Sequence, residues 1–210
     1  MKTILRGTIL VALGGLCAML SAAQDSAMSA KPKAAKPKDQ MGMPMPKPAP
    51  EMTKMIKMMA GNWTLTEKSD PNAMFPNGGA GKGTAVLTPG PGGLSLVEKY
   101  HSSGLMGPNF SGLGTFWWDP KAQLYRGVWC DNLTPNGCDS SGTTKWDGEK
   151  LVGMMEGDMN GQKMVTRFTY SDFKPDSFIM TMEMGSDASS MKKAMTITYT
   201  KASGMTDKKM

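Results

Sequence analysis

The sequence predicts an all-β fold: an antiparallel up-and-down β-barrel of about ten strands, preceded by one short helix and a disordered N-terminal linker. Three observations carry this. From residue 61 to 202, ten runs of strand length are separated by turn signals. Most connections are a few residues long, which favours antiparallel neighbours, because a parallel crossover needs about a dozen residues or more. A meander of so many strands removes its exposed edges by closing on itself.

The first 23 residues read as a secretory signal peptide. Lys2 and Arg6 give a positive start, "TILVALGGLCAML" an apolar core too short to span a bilayer comfortably, and "SAA" a cleavage site. Leu16 directly before Cys17 fits a lipoprotein signal poorly, so the mature chain is expected to start near Gln24 without a transmembrane anchor, periplasmic or secreted. Residues 24–50 are rich in Ala, Lys, Pro and Met, with no aromatic or β-branched residue. Such a stretch cannot offset its ordering entropy and reads as a disordered linker. Without the leader, 22 basic side chains face 18 acidic ones, a net +4 that argues for solubility more than for a specific nucleic-acid partner.

The barrel domain is expected over 51–202, with a tail at 203–210. "EMTKMIKMMA" (51–60) puts Met52, Met55, Ile56 and Met59 at helical spacing. Then come "NWTLTEK", a Pro/Asn/Gly-rich loop at 70–83, "GTAVLT", "PGPGG" and "LSLVEKYHS". "FSGLGTFWW" turns at "DPKA" into "QLYRGVWC", and "SGTTKW" turns at "DGEK" into "LVGMMEGD". "KMVTRFTY", "SFIMTMEM" and "KKAMTITYTK" complete the set. In the last two, Phe178, Met180, Met182 and Met184 share one face, and Met195, Ile197 and Tyr199 alternate with threonines expected to face water.

The hairpin "GTFWWDPKAQLYRGVWCDN" concentrates aromatic residues. If Trp118 pairs near Tyr125, then Phe116, Trp118, Tyr125 and Trp129 share one face, spaced by Gly112, Gly114 and Gly127. Large rings spaced by glycines pack a core or line a cavity. Past the leader only Cys130 and Cys138 remain, and an even count in an exported chain reads as a disulfide.

"AGNW" after a short amphipathic helix resembles the Gly-x-Trp start of lipocalins and other calycin barrels. "GPNFSGLGTFWWDPKAQLYRGVWCDN", "TKWDGEKLVG", "GQKMVTRFTY" and "MTITYTKA" follow the order found in an uncharacterised bacterial family, domain of unknown function 1579, over roughly 51–201. Trp118 stands where that family commonly has tyrosine, and the cysteine pair looks like a local addition. The resemblance implies a calycin-like, often exported barrel and no established activity.

No catalytic residues, metal ligands or cofactor motif stand out. The one histidine, His101, lies in no nucleophile-elbow context beside Ser102 and Ser103. "GGAGKGT" (78–84) lacks the spacing of a phosphate loop. Past the leader there are 20 lysines but only two arginines, Arg126 and Arg167, both in predicted strands. Arg167 matches a position where the resembled family tends to carry arginine, and it is expected to point inward, paired internally with Glu98 or Glu156 or awaiting an acidic ligand. Methionine is abundant, 23 in 210, including Met41, Met43 and Met45. Thioethers suit Cu(I), but also flexible apolar filling and oxidant scavenging.

The leading functional expectation is an exported barrel binding a small apolar or amphipathic molecule. Its candidate lining is Trp63, Glu98, Phe116, Trp118, Tyr125, Trp129 and Arg167. The alternatives are envelope Cu(I) handling or oxidant scavenging by Met-rich segments, and an enzyme using His101 or Glu98.

Overall fold

Strands with one apolar face bury it against another layer or against their own curled continuation. The computed structural model, which describes residues 44–135, 137–138, 140–159 and 162–203, takes the second course. Helix α1 (Pro50–Met59) is followed by β1 (Gly61–Ser69), β2 (Gly79–Pro89), β3 (Ser95–Gly104), β4 (Gly107–Asp119) and β5 (Leu124–Asp131). Then come β6 (Ser140–Asp147), β7 (Lys150–Met159), β8 (Gln162–Lys174), β9 (Ser177–Gly185) and β10 (Lys192–Lys201). Each strand pairs antiparallel with its sequence neighbours, and β10 closes on β1. The predicted barrel, strand count and leading helix are all present. The signal-peptide reading, most of the linker (24–43) and the tail from residue 204 lie outside the described residues. Among those described, no helix is long and apolar enough to cross a membrane.

Strand faces follow the predicted alternation. Phe178, Met180 and Met182 are buried on β9, and Met195, Ile197 and Tyr199 on β10, with Thr196, Thr198 and Thr200 turned outward. One strand differs from expectation: β2 begins at Gly79, inside the predicted 70–83 loop. Glycine permits this. A Cβ at Gly81 would overlap Glu67 Oε2, and one at Gly83 would overlap the His101 carbonyl. The strand thus runs over a buried carboxylate, where a side chain would block it, and the "GGAGKGT" segment is barrel wall.

Helix α1 covers one end. Met52, Met55 and Met59 are fully buried in the core. Trp63 Nε1 donates to the Met59 carbonyl at 2.9 Å, Tyr125 Oη donates to the Glu51 carbonyl at 2.7 Å, and Lys54 Nζ lies 3.8 Å over the Trp146 ring. Trp63 and Tyr125 stand near the starts of β1 and β5, and Trp146 near the end of β6. In an up-and-down barrel these positions lie at one end. The opposite end carries the loop after β1, the Gly104–Gly107 turn and the loop after β5, in which Cys130 and Cys138 are joined as expected.

Candidate functional site

The barrel interior is not filled. A cavity of about 270 Å³ remains, slightly below the roughly 300 Å³ at which typical small-molecule sites begin. Its walls are mostly apolar: Phe110, Phe116, Trp129 and Phe168, with Met155, Met180, Met182, Met184, Met195 and Ile197. Met74, Met106 and Leu133, from the loops opposite α1, and Asp131, at the end of β5, line it, so it faces that end. Leu133 sits in the disulfide-closed loop and is 57% exposed, an apolar side chain held at the mouth.

Register explains the aromatic wall. Trp118 pairs with Tyr125, Phe116 with Gly127 and Gly114 with Trp129, so the four rings share one face as predicted. A Cβ at Gly112 would overlap Trp129 Cζ2, and one at Gly127 would lie 3.1 Å from Phe116 Cδ1. The glycines leave the volume the rings occupy. Only Phe116 and Trp129 reach the cavity, however. Tyr125 is fully buried, its ring 5.0 Å from that of Trp118. Tyr125 also accepts from Trp146 Nε1 at 3.1 Å, so these rings pack the floor beneath α1. Trp63 lies in the same floor, its ring 4.8 Å from Phe178 and 6.5 Å from Tyr199.

Glu98 is the buried carboxyl at the cavity. On β3, Leu96, Glu98, Tyr100 and Ser102 alternate inward. Glu98 is 3% exposed and accepts a hydrogen bond from Tyr199 Oη at 3.1 Å. Burial disfavours its charged form and pushes the carboxyl up to about 7, an effect that the Tyr199 hydrogen bond partly opposes. Burial, reinforced by the nearby Glu98 carboxylate, holds the Tyr170 and Tyr199 phenols well above their ordinary range, so both remain donors. Tyr100 is raised too, by burial and by its hydrogen bond to Glu67. Glu67 is completely buried; its Oε2 and the Ser102 hydroxyl have no hydrogen-bond partner among the described residues.

Arg167 corrects the sequence reading. On β8, Thr166, Phe168 and Tyr170 face the cavity. Arg167 therefore points outward, donating to both Glu183 oxygens at 2.7 and 2.9 Å. The register expected for this strand is off by one, and Glu98 is not its partner. The isolated segment "VTRFTY" misleads because its β-branched Val165 is also buried, giving both faces an apolar residue. His101 lies on the outer face with Nδ1 3.1 Å from Ser111 Oγ, away from Glu98's side of the strand. Arg126, the other strand arginine, holds the Asp119-Pro120 turn through a 2.8 Å ion pair to Asp119, which keeps that carboxyl below its ordinary value.

Tyr100, Tyr170 and Tyr199 escaped the sequence reading of the site, as did Glu67. The period-two alternation on β1, β3 and β10 could have placed Glu67, Tyr100 and Tyr199 inward, whereas β8, apolar on both faces, leaves Tyr170 open. What it could not show is which strands face each other across the barrel.

Fold and site together define a closed antiparallel barrel of lipocalin-like form with an apolar interior cavity and a buried carboxyl. The chain belongs to a family described as a protein of unknown function (DUF1579), whose model matches residues 48–201. Among solved structures it is similar to Rv2717c from M. tuberculosis, with 10% identity and a TM-score of 0.51, covering 74% of this chain and 99% of that one. It is also similar to the S-type phycobiliprotein lyase CPES from Guillardia theta, with 11% identity and a TM-score of 0.46, covering 73% and 93%. A de novo designed fluorescence-activating β-barrel matches with 12% identity and a TM-score of 0.38, covering 69% and 94%. No curated protein matches the chain.

Proposed function

We propose that this barrel binds a small apolar or amphipathic molecule in its interior cavity. The observation that carries this reading is the cavity itself. Packed interiors leave few voids larger than a water molecule, whereas this one keeps about 270 Å³ open, walled mostly by rings and thioethers, with the carboxyl of Glu98 buried in the wall and that of Asp131 at the open end. Methionine side chains adapt to ligand shape, which suits a site of this composition. Isothermal titration of the full chain with phenylpropanol, a neutral amphipathic probe, tests it. Binding that is lost when Thr166→Trp fills the cavity supports the reading, while heat indistinguishable from dilution contradicts it.

The chain acts outside the cytoplasm in this account, with a mature start near Gln24. The Cys130–Cys138 disulfide supports this, since such bonds persist in oxidising compartments. N-terminal sequencing of the protein recovered from the cell envelope or medium tests it, and an intact Met1 in the recovered protein opposes it.

A further inference from the structure

The cavity contains acid and no base. Glu98 and Asp131 bring carboxyl groups to it, and among its described lining residues there is no lysine, arginine or histidine. The one strand arginine expected there, Arg167, is engaged by Glu183 on the outside. Glu98 uses one oxygen for the Tyr199 hydrogen bond. Its other oxygen has no protein partner among the described residues, and unlike Glu67 Oε2 it is not sealed from the cavity.

Beside Glu98 stands an aromatic wall. Tyr100, Phe110 and Trp129 contact one another, with ring centroids 5.8, 6.0 and 6.5 Å apart. Gly114 stands between Trp129 and Glu98: a Cβ there would lie 3.3 Å from the Trp129 ring and 3.5 Å from Glu98 Cβ. Ring faces attract cations, more strongly where water is excluded. Trp129 Nε1 donates to Asp131 at 3.0 Å, which brings the second carboxylate to the same ring.

We propose that the cavity selects a small organic cation, a protonated amine on an apolar body, with its ammonium on Glu98 and its body against the aromatic and methionine walls. This rests on the cavity being a binding site. An anionic ligand such as a carboxylate would meet two carboxyl groups and no counter-charge. A neutral ligand would gain the apolar walls and hydrogen bonds but no charge pairing.

The pairing carries a proton linkage. The groups facing Glu98 are the phenols of Tyr100 on its own strand, Tyr170 on β8 and Tyr199 on β10, all held neutral. Asp131 on β5 lines the same cavity, and Glu67 on β1 lies behind Tyr100. The neighbouring strands β2 and β4 present Leu87 and Gly114 opposite Glu98, and β9 presents Met180 and Met182. With the carboxyl at about 7, the empty site holds a proton part of the time at neutral pH. An entering ammonium keeps its own proton and expels that of Glu98 to solvent, so affinity rises with pH.

Isothermal titration of the full chain with phenylpropylamine, phenylpropanol and phenylpropanoate tests the proposal. At about pH 8 the amine should bind roughly tenfold or more tightly than the alcohol, and the advantage should shrink toward about pH 6. Glu98→Gln should bring the amine down to the level of the alcohol measured on the same variant and remove the pH slope. Equal binding of amine and alcohol, or tightest binding of the carboxylate, overturns the cation proposal while cavity binding stands. Binding of none of the three overturns both.

Discussion

Tyr199 on β10 donates its phenolic proton to Glu98 on β3 across 3.1 Å, joining residues 101 positions apart in the chain. That bond is not enough to offset burial, since the carboxyl rises from 4.5 to about 7. The folded protein therefore holds a proton that the unfolded chain releases. Stability is greatest below about 4.5, falls as pH rises, and reaches its floor above about 7. Over that window the loss is on the order of 3 kcal/mol. Glu98→Gln keeps an acceptor for Tyr199 and carries no charge. Urea unfolding should find the variant more stable than the parent by a few kcal/mol near pH 8 and about equal to it near pH 4.5. A parallel pair of pH curves would show that Glu98 is not buried as described.

Gly112 faces Trp129, and a Cβ there would overlap the indole. Gly112→Ala must push the ring into the cavity or bend β4, and overpacking of this kind costs roughly 1–3 kcal/mol. Thermal unfolding should show the loss, and phenylpropanol affinity should fall with it. An unchanged melting temperature would mean that the indole does not occupy this space.

Arg167 and Glu183 form a bidentate pair on the outer face, with side chains 33% and 26% exposed. Partly solvated pairs contribute about 1 kcal/mol or less. Arg167→Ala should therefore change stability by no more than about that and leave cavity binding intact. A loss of several kcal/mol would restore the buried, inward-facing arginine that the sequence alone suggested.

The Cys130–Cys138 bridge closes the loop that holds Leu133 at the cavity mouth. Loop-closure entropy for so short a segment amounts to roughly 2–3 kcal/mol. A double Cys→Ala variant should lose about that much stability. Non-reducing mass spectrometry of the parent should find no free thiol at either position.

Much of this was legible in the chain because period-two alternation is local. Met180 and Met182, or Met195, Ile197 and Tyr199, declare their face within a single strand. The aromatic hairpin was legible for the same reason, since the Asp119-Pro120 turn sets the register between Trp118 and Tyr125. Arg167 was not, because Val165 and Phe168 give β8 two apolar faces and register decides between them. Nor was the separation of Trp118, Tyr125 and Trp63 from the cavity. They share its face, but α1 settles on their end of the barrel, and a helix docking on strand ends leaves no mark in strand periodicity.

Ligand that enters the barrel meets methionines that report on it individually. In a protein with ¹³C-labelled methionine methyls, titrated with phenylpropanol, the methyl resonances of Met180, Met182 and Met195 should shift together and saturate. Those of Met52 and Met55, on the buried face of α1, and of Met45, 82% exposed, should stay in place. Shifts confined to Met45 or to the helix, with the three cavity methyls unmoved, would place the ligand outside the barrel.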